Sequence, residues 1–254
     1  HVGGTLTYMT NKLVDGGNIV VSAGYNEAVN GYPLNSVFGY RYVGKVQNQD
    51  QLDYYVDKYV GSNSIALPAN LRLGDHMYED VNKDGKLTQD DLVFLGSDDP
   101  KYSFSFNFGC EWKGFDFNVH FQGAGKSSFF INGSTVFAFK DSQWGNVLGN
   151  LVANRWVDAD TAAKLGIPAN EDPNASYPRL SYGGNDNNQQ KSTFWLKNGS
   201  YLRLKTLEVG YTLPKSIVNK IKFNNIRVFF IGTNLLTLAK FKEWDPELGS
   251  STGA

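Results

Sequence analysis

From Tyr102 to Trp112 every second residue is apolar: Tyr102, Phe104, Phe106, Phe108, Cys110 and Trp112. Ser103, Ser105, Asn107, Gly109 and Glu111 lie between them. After Lys113-Gly114 the alternation resumes as Phe115, Phe117, Val119 and Phe121 against Asp116, Asn118, His120 and Gln122. Side chains of a strand alternate faces, so this stretch predicts a hairpin with one aromatic and one polar face. A two-residue loop with glycine second suits the tight turn. Each strand has the length of a tilted bilayer-crossing strand, roughly 9–11 residues. Apolar-out, polar-in strands of that length fit a membrane barrel around a wet lumen. A soluble sandwich or barrel with one buried face gives the same alternation. The two readings differ in what touches Phe104, Phe106, Phe108, Phe117 and Phe121: lipid, or a second sheet.

The chain has 254 residues, enough for one large or two small domains. A net charge of −1 gives no pull toward nucleic acid. Aromatics at 14% and 27 glycines, against 19% charged residues, suit strands and turns. The lone cysteine, Cys110, excludes an internal disulfide and reads as a small apolar residue on the aromatic face. No apolar run reaches about 18 residues, so no transmembrane helix is predicted, which leaves a barrel open. A strand-like start and the loop-like end Gly249 to Ala254 read as a piece of a longer protein.

Short strands are expected at Thr5–Met9 and Asn18–Tyr25, around a turn at Asp15-Gly16-Gly17. Asp50–Tyr59, Asn146–Trp156 and Asp160–Leu165 read as short helices. Residues 124–193 read as one long loop, which a membrane barrel carries on its outer side. Phe194–Leu213 reads as a strand, Lys215–Lys222 as a helical turn and Ile226–Leu238 as the last strand. In the first of these, Arg203 and Lys205 share a face with Leu207, Val209 and Tyr211, as expected of a strand that leaves the bilayer partway.

One segment carries recognisable chemistry. Asp80-Val81-Asn82-Lys83-Asp84-Gly85-Lys86-Leu87-Thr88-Gln89-Asp90-Asp91 matches a calcium loop, with oxygen donors at positions 1, 3, 5 and 12 and glycine at position 6. Calcium wants six to eight hard oxygens, and alternate residues of a tight loop point inward. The predicted ligands are Asp80, Asn82, Asp84, the Lys86 carbonyl and Asp91, with Thr88 through its hydroxyl or a water. The flanks do not form long amphipathic helices, so a full EF-hand is not expected. No catalytic set appears, and the carboxylate pairs Asp98-Asp99 and Asp158/Asp160 lie in loop-like stretches. The chain is therefore read as a non-enzyme. Trp144, Trp156, Trp195 and Trp244 suit packing or an interfacial girdle better than sugar stacking.

Several segments stand in a recognisable order along the chain. The first carriers are Gly31 through Tyr40 with Gly44 and Gln47-Asn48, then Gly74-Asp75 leading into Tyr78 through Lys86. Next come Gly96, Pro100-Lys101, Phe106 through Gly109 and Trp112 through Phe117. Tyr201 through Leu207 with Gly210 through Pro214, Ile226-Arg227-Val228, Gly232 through Leu235 and Trp244 through Glu247 complete the order, which over residues 18–248 resembles the SusC/RagA-type TonB-dependent outer-membrane transporters of Bacteroidota. The resemblance implies an all-β fold, a portion of an antiparallel transmembrane β-barrel of about 22 strands with long extracellular loops and short helices. Residues 1–254 would be the C-terminal part of that barrel. Residues 74–96 would be an extracellular calcium-loop segment and 124–193 an extracellular loop, with the plug domain and the last strand absent. It further implies TonB-dependent import of oligosaccharide or peptide across the outer membrane, beside a SusD-like lid lipoprotein and within outer-membrane lipid. TonB itself would engage a segment not in this chain. The alternative from the residues alone is a soluble calcium-dependent carbohydrate-binding or dockerin-like module. A glycan-active β-enzyme is disfavoured for want of a placed carboxylate pair.

Overall fold

A computed structural model of the chain describes residues 1–16, 29–59, 71–133, 136–140 and 147–248. Five long strands make one antiparallel sheet: β1 (Val2–Tyr8), β6 (Tyr102–Trp112), β7 (Phe115–Gly125), β10 (Tyr201–Thr212) and β11 (Arg227–Ala239), in the order β1-β6-β7-β10-β11. The predicted hairpin is present in register, with Phe106 opposite Phe121, Cys110 opposite Phe117 and Trp112 opposite Phe115. Lys113 and Gly114 both take positive φ, at 49° and 89°, as a tight turn matched to strand twist demands. β1 continues the two faces: Val2, Gly4 and Leu6 stand opposite Phe108, Phe106 and Phe104, while Thr5 and Thr7 meet Ser105 and Ser103.

The connections are lopsided. Tyr8 faces Tyr102, Tyr102 faces Gly125, and Ala124 and Ala239 both face Tyr201. The long excursions 9–101 and 126–200, and the segment after β11, therefore leave from one end of the sheet. The other end carries the turn at 113–114 and the connection 213–226. In the latter, Lys215–Val218 is helical and Asn219–Ile221 is a 3-10 turn, close to the expected helical turn.

The excursions fold together as a cap. It holds three two-stranded sheets among the described residues: β2 (Ser36–Gly39) with β5 (Val93–Ser97), β3 (Tyr42–Lys45) with β4 (His76–Tyr78), and β8 (Ser128–Phe130) with β9 (Leu196–Asn198). Helices α1 (Gln49–Tyr59) and α3 (Ala159–Leu165) match the expected helices closely, while α2 is the short stretch Gly149–Ala153 inside the expected Asn146–Trp156. α3 starts at Asp158, which accepts from the Thr161 N–H at 2.7 Å, and stops at Gly166 in the left-handed region. The expected strand Asn18–Tyr25 lies outside the described residues, as does Trp144. The expected strand Phe194–Leu213 is two strands, β9 and β10, broken at Gly199-Ser200.

Both apolar clusters belong to the cap. One gathers Val37, Phe129, Phe130, Phe137, Tyr177, Trp195 and Phe241; the other gathers Tyr40, Tyr55, Tyr59, Leu71, Tyr78 and Leu87. No phenylalanine of the hairpin enters either cluster. Phe106, Trp112 and Phe115 are 45%, 67% and 55% exposed, so among the described residues no second sheet covers the aromatic face. An uncovered face of that size is untenable in water and ordinary in lipid.

The face assignment of Arg203 and Lys205 requires correction. Between Leu204 and Thr206 the pairing of β10 shifts register against β7, leaving Lys205 as the extra residue of a bulge. Arg203 pairs with Gln122, Thr206 with His120 and Glu208 with Asn118. Arg203 thus joins the polar face, and Leu202, Leu204, Leu207 and Val209 stay on the apolar one. The bulge, rather than an exit from the bilayer, breaks the alternation.

Candidate functional site

Aromatic residues collect at both ends of the apolar face. Tyr8 and Tyr102 stack at 5.1 Å at the cap end, and Phe115 and Tyr211 at 4.5 Å at the turn end. There the Lys113 ammonium sits 4.8 Å above the Trp112 ring. Tyr102 to Trp112 is ten steps of β6, about 33 Å at about 3.3 Å per step. A tilt of about 40° projects this to about 25 Å, the height of an outer-membrane apolar band between its girdles.

The opposite face is wired by charge. Arg227 forms ion pairs with Asp116 and Glu208, joining β11, β7 and β10. Arg203, 3% exposed at its side chain, pairs with Asp245 and with Glu247 at 2.9 Å. Those two carboxylates follow β11 and fold back over the polar face at the cap end. Tyr201 Oη adds a bond to Glu247 at 2.9 Å. Sequence reasoning did not single out Arg203 as a pairing centre, because the bulge hid its face.

A buried polar knot joins the two excursions. Asp75 Oδ1 accepts from Asn185 Nδ2 at 2.9 Å and Asn188 Nδ2 at 2.8 Å; Oδ2 accepts from Arg72 N at 2.8 Å and Arg179 Nη2 at 2.9 Å. The His76 N–H donates to Asn188 Oδ1, and Asn187 Nδ2 donates to the His76 carbonyl. The His76 ring is enclosed by Tyr42, Tyr78, Phe194 and Trp195. Burial holds its pKa well below 6.5, and the Lys45 charge lowers it further. Lys45 itself is pushed down to about 8 by burial, while its ammonium donates to the Ala175 carbonyl at 2.6 Å. The run Gly183 to Gln190 reads as plain loop in sequence; its asparagine density was the signal of these anchors. The tryptophans follow the packing expectation: Trp156 and Trp195 are buried, and Trp244 packs on Phe241 at 4.5 Å.

The calcium-type loop follows β4 and ends in the 3-10 turn Gln89–Asp91. Its spacing produces the expected backbone: Asp80 Oδ2 accepts from Gly85 N at 2.9 Å, Asn82 Oδ1 from Asp84 N at 2.9 Å, and Asp84 Oδ1 from Lys86 N at 2.8 Å. Gly85 has φ of 81°, the sharp turn the spacing called for. Asp91 is fully buried; its Oδ1 accepts from Val81 N at 2.8 Å and Asn82 N at 3.4 Å, and its Oδ2 from Thr88 N at 2.9 Å. It staples the loop shut, and with Thr88 it forms a capping box. Among the described residues no three His, Cys, Asp or Glu side chains make a metal cluster by themselves. Any cation here would depend as well on the Asn82 amide oxygen, the Lys86 carbonyl and water.

These elements define a class: a segment of an antiparallel membrane β-barrel with a folded cap on its long-loop side. The chain matches no family profile. It is 25% identical over 252 residues to the TonB-dependent receptor P26 of Formosa agariphila, covering 96% of this chain and 23% of that protein. It is 24% identical over 220 residues to the TonB-dependent receptor P3 of the same organism, covering 85% and 19%. The fold matches that of the RagAB peptide transporter with a TM-score of 0.56 at 22% identity, over 87% of this chain and 21% of that one. The RagAB peptide importer in its closed-closed state gives 0.58 at 22% identity, over 98% and 25%. In sequence the chain is similar to a portion of these TonB-dependent receptors, and it spans about a quarter or less of the curated relatives it matches.

Proposed function

We propose that the chain forms a wall of an outer-membrane importer that brings oligosaccharide or peptide nutrients through its lumen, energised by TonB and working with a SusD-like lipoprotein. The observation that supports this reading most is the sheet. Its aromatic face is uncovered and banded at both ends, its other face carries the Arg203 and Arg227 ion pairs, and every long connection leaves from one end. An asymmetry of long outer loops and short inner turns belongs to outer-membrane barrels. The cap would then stand on the outer side, where a lid protein and substrate arrive. No covalent chemistry is needed for such a role.

The experiment uses the intact receptor in its own bacterium. Outer-membrane fractionation should recover it with lipid, and affinity purification should bring a surface lipoprotein with it. Deletion of the gene should abolish growth on either a defined oligosaccharide or a defined peptide pool, which names the substrate class. Recovery in the soluble periplasmic fraction would overturn the importer reading.

A further inference from the structure

We propose that residues Asp80 to Asp91 bind one calcium ion, and that this ion locks α1 onto the cap, independently of what the receptor imports. The observation beyond loop spacing is a single atom. Asp80 Oδ1 is buried without a hydrogen-bond partner, on a side chain only 5% exposed, while its sister oxygen accepts from Gly85 N. A buried carboxylate oxygen lacking a donor is a costly arrangement that a bound cation relieves. Lys58 Nζ stands 4.0 Å from Oδ2, beyond hydrogen-bond range, and leaves Oδ1 unserved.

Lone pairs decide the ligand set. Each carboxylate oxygen accepts about two hydrogen bonds. Asp91 Oδ1 is saturated by Val81 N and Asn82 N, and Oδ2 already holds Thr88 N. Asp91 therefore contributes one oxygen at most, where position 12 of an EF-hand loop usually gives a bidentate contact. Asp80 supplies the main charge through Oδ1. Asn82 Oδ1 and Asp84 Oδ1 each carry one intraloop bond and keep capacity, and Lys86 offers its carbonyl. Oxygen donors of mixed type on a flexible loop, with water completing the shell, suit calcium; magnesium demands a near-ideal octahedron. The same loop directs Leu87, fully buried, into the cluster with Tyr55 and Tyr59 of α1. A cation that fixes the loop therefore fixes the seat of α1, and its binding free energy adds to cap stability by mass action.

The test measures bound metal on the intact detergent-purified receptor after dialysis against buffered calcium. Wild type should hold about one more calcium per chain than Asp84→Ala, whose parent residue is exposed, so that the cap is expected to stay folded. Asp80→Asn, which keeps an oxygen for Gly85 N but removes the charge, should show the same deficit. Calcium withdrawal from wild type should speed proteolysis between residues 75 and 95 several-fold and leave both variants unchanged. Equal calcium in wild type and both variants, or magnesium retained in place of calcium, would overturn the assignment.

Discussion

In the sheet Phe106 is 45% exposed and Trp112 67%; in the cap Phe129 and Trp156 are each 1% exposed. The same residue types meet two different solvents. Period two puts every aromatic of the β6-β7 hairpin on one face, and among the described residues no other element comes to cover it, so that face needs lipid. The cap draws its aromatics from two excursions separated in sequence by the β6-β7 hairpin and closes them around Trp195. Its polar groups then have no water and must satisfy one another, which is what Asp75, Asn185, Asn187 and Asn188 do. A barrel wall can thus be recognised by what it leaves uncovered, and its cap by what it leaves unsolvated.

The comparison breaks hardest at Trp195. Its ring packs on Phe137, Tyr177, Phe194 and His76, and its Nε1 donates to the Asn188 carbonyl at 2.6 Å. Trp195→Ala should cost the cap about 3–5 kcal/mol. Hydrogen exchange should show protection lost in residues 128–131 and 185–198 and kept in β6 and β7. Equal loss in the sheet would mean that wall and cap are one cooperative unit. A smaller effect is expected on the wall: Phe106→Arg should impair assembly by about 2–4 kcal/mol near the bilayer midplane. Asn107→Arg, one residue along and on the polar face, should be tolerated. If both substitutions behave alike in a membrane-assembly assay, the assignment of faces is wrong.

The wall was legible because alternation runs through both Tyr102–Trp112 and Phe115–Gln122, broken only by the Lys113-Gly114 turn. It failed at Lys205, since one bulged residue inverts the parity of everything after it and leaves no mark in composition. The loop at Asp80 was legible from spacing alone, yet the stapling bonds of Asp91 were not, because they depend on how Val81 and Thr88 turn in space. The cap core was opaque for a different reason. Its members come from short strands and turns with no shared period, and Gly183 to Gln190 has the composition of a solvated loop while Asn187 and Asn188 are buried.

The finest separation of wall and cap comes from pH. His76 lies in the cap with neither ring nitrogen hydrogen-bonded among the described residues, and burial keeps it neutral. In the unfolded cap the same ring takes a proton near 6.5. The unfolded state therefore binds more protons below that pH, and the stability from the neutral ring is complete above it and is lost as pH falls toward the folded pKa. One proton sets a slope of at most about 1.4 kcal/mol per pH unit. Lys45, pushed down to about 8 from 10.5, acts in the window between those values and leaves the acid limb to His76. Exchange of the amides around 76–78 and 187–195, corrected for intrinsic rates, should accelerate between pH 7 and pH 5, while β6 and β7 stay constant. His76→Phe, which fills the same aromatic box without a titrating group, should flatten the acid limb. An unchanged limb in that variant would move the pH sensitivity out of the box and onto the carboxylates of the cap.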